Sequence, residues 1–235
     1  MIQRVIERVR RAELLDAVTV ATTTDASDDP VAAFGAAMGV ACTRGSLHNV
    51  LDRYYRAAQT HKAEIIVRIT ADCPVIDPAL IDQAVRTLRE GGYDFVANRL
   101  PPPFPRTFPI GLDVEVCTFA ALERAHAEAD QPYHHEHVMP FIYEGFTSET
   151  SLSTRGFKIA LLHHTPDYGS LRWTVDTPED LEMIRQVFNA IEDKNNFTWY
   201  DLLSLVQNHP ELTEINAQIQ HKSMTDTDNR RSAEN

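Results

Sequence analysis

The sequence predicts an α/β fold: a mostly parallel sheet with helices on both faces. Three observations predict it. Short β-branched runs alternate with stretches of near-3.6 apolar period along most of the 235 residues. One run, AEIIVRITAD at 63–72, is apolar almost throughout, the pattern of a strand kept dry on both faces. Two strand-like runs end in an aspartate with a proline two residues on, which stops a ladder because proline has no N–H to give. Alternation of this kind, with short right-handed crossovers, leaves a sheet between two helical layers.

Each element has its own signal. The opening MIQRVIERVRRAELL is helical, apolar at Ile2, Val5, Ile6, Val9, Ala12 and Leu15. AVTVATT (17–23) is a buried strand ending in hydroxyls. A helix is expected from about Asp28 to Met38, with Asp28 or Asp29 at its start and Pro30 in the first turn. VACTRG (40–45) is a second short strand. In LHNVLDRYYRAAQTH (47–61), Leu47, Val50, Leu51, Tyr54 and Ala58 share a helical face. The strand at 63–72 follows. PALIDQAVRTLREGG (78–92) is a helix with proline at its start and glycines at its end. YDFVAN reads as a strand.

The regularity then breaks at LPPPFPRTFPIG (100–111), a proline-rich loop expected on the sheet's working side. In LDVEVCT (112–118), strand alternation puts Asp113 and Glu115 on one face, Val114 and Val116 on the other. Helices are expected near 120–129 and 133–143, a strand at 157–164, and a strand leading into a helix over 171–191. TWYDLLSLVQNHPELTEINAQIQ (198–220) reads as two short helices. KSMTDTDNRRSAEN (222–235) has almost no apolar content and is expected to be a disordered tail. The organisation expected is a main α/β unit over 1–192, a helical extension over 193–221 and the tail over 222–235.

Composition narrows the function. Hydrophobic residues at 43% and charged residues at 24% are ordinary for a globular chain. A net charge of −12 argues against a nucleic-acid partner, since phosphate binding needs a basic face. No apolar stretch nears the roughly 20 residues that span a bilayer, and the N-terminus lacks a signal-peptide core. Cys42, Cys73 and Cys117 are odd in number and have no C-x-x-C spacing, as reduced thiols would be. The expectation is a cytoplasmic protein with no membrane partner.

Asp72 (TADCPVIDP) and Asp176 (WTVDTPEDL) share one grammar: apolar strand, aspartate, proline, helix. In open α/β sheets, ligands bind beyond the carboxyl ends of strands. Two carboxylates at such a rim suit Mg²⁺, which takes oxygen ligands and substrate phosphates. The alternative is that each caps the following helix, a role Asp77 fits better than Asp72 does. Residue types and spacing point no further than a metal-assisted phosphate site.

VRITADCPVIDP, GLDVEV, HHEHVMPFIY and LRWTVDTPEDLE, in this order and spacing, resemble the cytidylyltransferases of the spore-coat polysaccharide type. These are related to the CMP-sugar synthetases that activate KDO and acylneuraminate. VIERVRRAELLDAVTVATTTD and RGSLHNVLDRYYRAA extend the similarity, which runs from residue 2 to about 220. The resemblance implies a Rossmann-like fold of the nucleotide-diphospho-sugar transferase type. It implies transfer of CMP from CTP to a sugar, with pyrophosphate released and Mg²⁺ held by Asp72 and Asp176. Thr22, Thr23 and Thr24 match the stretch near the pyrimidine base, although hydroxyls also close strands and start turns. Asp52 and Arg53 match nucleoside contacts, or form a solvated helix edge.

The sugar cleft would draw on Arg106, Asp113, Glu115 and Arg172, polar residues in otherwise apolar segments; a strand with its polar face in water is the alternative. His134 and His137 at i,i+3 have no obvious third ligand, and the adjacent His134 and His135 point to different helix faces, so a metal-free surface cluster is expected. Glu136 and His137 match the family's E-H-V stretch lining the substrate cleft. Relatives of this kind often form dimers, so a homodimer is among the implied assemblies, though no stripe here demands one.

The sequence also departs from that family. Relatives begin with a strand and a basic glycine loop, A-R-x-G-S-x-R-L-P-G-K, whose N–H groups and cations hold the nucleotide phosphates. No such loop occurs in the 235 residues, and Met1 falls where the family's first helix begins. The fold is therefore expected to lack its first strand, leaving neighbouring strands either unpaired or closed on each other. Either the protein starts upstream of Met1, or the chain is a truncated, non-catalytic partner or nucleotide-sugar-binding subunit. Both aspartate motifs are intact, which favours the first.

Overall fold

The computed structural model describes residues 1–194 and 196–219; the tail expected over 222–235 lies outside them. Local chemistry sets most element limits. Helix α1 (Ile2–Val9) buries Val5, Ile6 and Val9, and leads to strand β1 (Thr19–Thr23). A 3-10 turn at Ala26–Asp28 precedes α2 (Asp29–Ala37), then β2 (Ala41–Gly45). In α3 (Val50–His61) the Asn49 side chain caps the Asp52 N–H, so the helix starts three residues later than Leu47. Strand β3 (Ile65–Arg68) leads to α4 (Pro78–Gly91), which Asp77 caps at Ala79 and Leu80 and Gly92 ends at φ +58°.

Strands β4 (Phe95–Ala97) and β5 (Glu115–Thr118) flank the proline-rich loop. Helix α5 (Phe119–Glu128) follows, capped by Thr118. The histidine-rich helix is two pieces, α6 (Pro132–His137) and α7 (Pro140–Tyr143), because Val138 sits at φ +72° and Pro140 cannot continue a helix. Strand β6 (Ile159–Leu161), α8 (Pro178–Ala190), α9 (Trp199–Asn208) and α10 (Glu211–Glu214) complete the described chain. None of these helices is long and apolar enough to cross a membrane.

The architecture is α/β, with parallel strands and helical layers as the sequence predicts. Two details differ. The described strands form two sheets: β1 with β2, in parallel, and a second in the order β3-β5-β4-β6. Within the second, β4 and β6 are parallel, while β5 runs against both β3 and β4. Apolar alternation carries no information on strand direction, so β5 could not be distinguished from a parallel strand.

The long apolar run at 63–72 is strand only over Ile65–Arg68, because β5 offers ladder partners only from Thr118 to Glu115. Beyond it the chain turns away toward 171–175. That segment is itself extended without being a named strand, and bridges to Ile110.

Two apolar layers cover the sheet. One gathers Val5 and Val9 of α1, Ile81 and Val85 of α4, Trp173, and Ile184 and Val187 of α8. Trp199, Leu202 and Leu212 belong to the same layer, so α9 and α10 pack into the main core. The other gathers Leu51, Phe95, Leu122, Met139, Phe141 and Ile159.

Candidate active site

One backbone bond organises the rim. The Asp72 carbonyl accepts the Val175 N–H at 3.0 Å and the Thr174 hydroxyl at 3.2 Å. The segments carrying Asp72 and Asp176 therefore run side by side, though 104 positions separate them in sequence. Ile110 zips the other flank of 171–175: its N–H reaches the Leu171 carbonyl at 2.8 Å, and its carbonyl accepts from Trp173 at 2.7 Å. Gly111, at φ +105°, lets the two strands of this zip approach; a Cβ there would lie 2.6 Å from the Thr174 nitrogen.

Arg172 holds Asp176 from below. Its Nη2 donates to Asp176 Oδ2 at 2.7 Å and to Asp180 Oδ2 at 2.8 Å, and its Nε reaches Asp180 Oδ1 at 2.9 Å. Asp180 is fully buried and also accepts from Asn216 and from the Asp176 N–H. Burial alone would raise the Asp180 carboxyl. Hydrogen bonds from Arg172 and Asn216 outweigh it and hold the pKa at about 2. The same bonds to Asp180 raise Arg172. Asp176 itself keeps 39% of its side chain in solvent.

Arg106 and Asp113 close the mouth as a bidentate pair at 2.5 and 3.0 Å, both half-buried. The buried Cys73 thiol is pushed up by burial first, then by the carboxylates of Asp72 and Asp113. Three expected site residues, Asp72, Asp176 and Arg172, are thus tied to the extended 171–176 segment, while Arg106 and Asp113 pair with each other.

The other expected residues are held by partners of their own. Glu115 faces its cross-strand partner Arg68 at 2.5 Å. Thr22 and Thr23 are buried, and their hydroxyls donate to Asp28 at 2.7 and 2.5 Å. These bonds lower the Asp28 carboxyl. Thr24 is exposed at the end of β1, its hydroxyl 3.5 Å from the Gly45 carbonyl. Asp52 bonds Arg56 at 2.7 Å and His126 at 3.0 Å on the outer helices; burial raises its carboxyl, and these two partners bring it below its ordinary value. Arg53 is buried beneath the Ser46 and Leu47 carbonyls. His137 ends α6 half-buried, one residue before the break at Val138.

Two organising residues were not among those expected, Asp180 and Asp28. Asp180 had a legible signal, since Thr177 and Asp180 form a capping box. Asp28 read only as a helix start, and it turned back to the threonines instead.

Among the described residues no three or more His, Cys, Asp or Glu side chains group to hold a metal. Asp72 and Asp176 are a sparser set of hard oxygen donors. Carboxylate oxygens of this kind are the donors Mg²⁺ takes together with substrate phosphates.

The match of this chain to a family model places it in the nucleotidyltransferase class of enzymes. The family model described as "Cytidylyltransferase" matches residues 1–216, and the chain belongs to that family. It is 31% identical to an uncharacterized protein of Methanocaldococcus jannaschii, over 95% of this chain and 86% of that one. It is 25% identical to the spore coat polysaccharide biosynthesis protein SpsF of Bacillus subtilis, over 88% and 82%. A solved cytidylyltransferase from Leptospira borgpetersenii superposes with a TM-score of 0.80 at 30% identity, covering 94% of this chain and 87% of its own.

Proposed function

We propose that the protein transfers CMP from CTP to a hydroxyl of a sugar acid or another surface-polysaccharide precursor. In this reaction the sugar oxygen bonds to the α-phosphorus, the α–β phosphoanhydride bond breaks, and pyrophosphate leaves while the hydroxyl proton passes to base or solvent. The observation that supports the reading is the Asp72–Val175 backbone bond, which lays the segments carrying Asp72 and Asp176 side by side. Asp72 and Asp176 would hold Mg²⁺, which when bound neutralises phosphate charge. Arg172 orients Asp176, and Arg106 with Asp113 lines the side from which the sugar approaches. Thr22, Thr23, Thr24, Asp52, Arg53, Glu115 and His137 are assigned to nucleotide and substrate contacts by resemblance alone. A polysaccharide role is supported by the similarity to SpsF.

The test follows pyrophosphate from CTP, Mg²⁺ and a panel of sugar acids and related precursors. Asp72→Asn and Asp176→Asn are each expected to lower kcat by about 10²–10³-fold, as loss of a charge-stabilising group does. Full turnover in both variants would overturn the assignment. Binding of CMP, with no pyrophosphate released from CTP in the presence of any of these sugars, would favour the alternative, a nucleotide-sugar-binding subunit.

A further inference from the structure

Asn216 follows α10 in the chain, is buried, and reaches the rim from the helical extension. Its Nδ2 meets two acceptors, Asp180 Oδ1 at 2.8 Å and the Arg172 carbonyl at 3.1 Å. A side-chain amide has two protons to give, so both are used and both partners belong to the rim. One planar group therefore sets the separation between the Arg172 backbone and the Asp180 carboxylate.

What Asn216 holds is what holds Asp176. Asp180 Oδ2 accepts the Asp176 N–H at 3.0 Å and the Thr177 N–H at 3.1 Å, which fixes the turn after the rim aspartate. Arg172 Nη2 divides its donation between Asp180 Oδ2 and Asp176 Oδ2. Asp176 is thus fixed at its backbone by Asp180 and at its side chain by Arg172, which takes only one of its two oxygens. Asp180 Oδ1 has two donors, the Arg172 Nε and Asn216. Without Asn216 the arginine alone serves that oxygen, and a buried carboxylate short of a donor draws on the donors that remain. The bond released most cheaply is that of Arg172 to Asp176, because Asp176 is exposed and water can replace the arginine there.

The same stretch of chain also holds the segment after Asp72. Asp77 Oδ2 accepts the Trp199 N–H at 2.7 Å. Arg8 spans the Ile76 carbonyl at 2.6 Å and the Phe197 carbonyl at 3.1 Å. Bonds from residues 197–216 therefore reach both segments that carry a rim aspartate.

We propose that Asn216 is a positioning residue for the reaction, a role that rests on Asp72 and Asp176 being the Mg²⁺ ligands. It touches neither substrate nor metal. It fixes the Arg172–Asp180 pair, and that pair holds the Asp176 carboxylate in one orientation toward the cation. Partners at this remove from a metal orient the ligands and tune affinity, as hydrogen bonds to ligating carboxylates generally do.

The test compares the parent chain with Asn216→Leu, Asn216→Ser and Leu212→Ala at a temperature where each is folded. Leucine has nearly the reach of asparagine and nothing to donate, whereas serine keeps one donor. Leu212 is buried in the same extension but belongs to the apolar core, so its truncation reports general loosening. Mn²⁺, standing in for Mg²⁺, is titrated without nucleotide and its binding read from water proton relaxation. Asn216→Leu is expected to weaken Mn²⁺ binding about tenfold, and Asn216→Ser by less. The kcat for pyrophosphate release is expected to fall by a similar factor, while KM for the sugar changes less than about twofold. Leu212→Ala is expected to lower the unfolding temperature at least as far, yet to keep Mn²⁺ affinity within about twofold of the parent. Parent-like Mn²⁺ affinity in both Asn216 variants overturns the inference, as does an equal loss in Leu212→Ala. Asp72→Asn and Asp176→Asn separate the two levels. If these lose Mn²⁺ while the Asn216 variants keep it, the positioning role alone fails. If they too bind Mn²⁺ as the parent does, the metal assignment fails and the positioning role falls with it.

Discussion

Arg172 and Asp180 form a closed pair beneath the rim, the arginine Nε and Nη2 meeting the two carboxylate oxygens at 2.9 and 2.8 Å. The arginine's second contact, to Asp176 at 2.7 Å, makes this buried pair the support for an exposed one. Breaking a buried pair from one side leaves the other charge uncompensated. Asp180→Asn is expected to cost about 3–5 kcal/mol in chemical denaturation, far above a surface carboxylate change. A cost below about 1 kcal/mol would show that solvent reaches the pair.

The same pair contributes to the acid limb of stability. Asp180 titrates at about 2 in the folded chain against 3.8 ordinarily, so its contribution is present above pH 3.8 and is lost as the pH falls through about 2. Unfolding free energy is therefore expected to drop between about pH 4 and pH 2, and Asp180→Asn to flatten that drop. Denaturation series at several acid pH values check it; parallel curves for both proteins would place the acid sensitivity elsewhere.

Gly111 is required by contact as well as by conformation. At φ +105° its hydrogen faces the backbone of Trp173 and Thr174, and a Cβ would meet the Trp173 carbonyl carbon and the Thr174 nitrogen at 2.6 Å. Backbone atoms cannot swing aside as a flexible side chain can. Gly111→Ala is expected to destabilise by more than about 1 kcal/mol and to displace the segment carrying Asp176. Gly39, with φ +63° and nothing within 4 Å of an added Cβ, is the control, expected to lose less.

These relationships divide what the sequence disclosed from what it withheld. The α4 limits were legible because Asp77, Pro78 and Gly92 act within a few residues of the helix ends. Asp72 and Asp176 were legible as rim residues because proline punctuates both. The Arg172–Asp180 pair was half legible: the capping box marked Asp180, but its reach back to the arginine depends on the turn at Thr177. The threonines read as ligand contacts or as hydroxyls that close a strand and start a turn; their bonds to Asp28 come through a 3-10 turn that periodicity does not register. The antiparallel β5 and the break at Val138 depend on tertiary pairing and one backbone angle, neither of which leaves a compositional trace.

Arg106 and Asp113 test the sugar side of the proposed reaction. Their pair is bidentate but half-exposed, so its net worth to stability is small, about 0–1 kcal/mol. Arg106→Gln should therefore leave the unfolding temperature nearly unchanged while raising KM for the sugar acid more than KM for CTP. Equal effects on both KM values would place Arg106 on the nucleotide instead.

The C-terminal helices supply the last test. The sequence separates residues 193–221 from the α/β unit, yet Leu202 is fully buried in the layer that holds Ile81, Trp173 and Val187. Asp77, the cap of α4, also accepts the Trp199 N–H at 2.7 Å, so one carboxylate starts a helix in each part. Shared core and shared cap predict that the two parts unfold as one cooperative unit. Leu202→Ala is expected to cost about 2–5 kcal/mol, as core truncations do, and to shift a single transition seen alike by tryptophan fluorescence and far-UV circular dichroism. Two separated transitions would show that α9 and α10 unfold on their own, and that the helices dock on the α/β unit without sharing its stability.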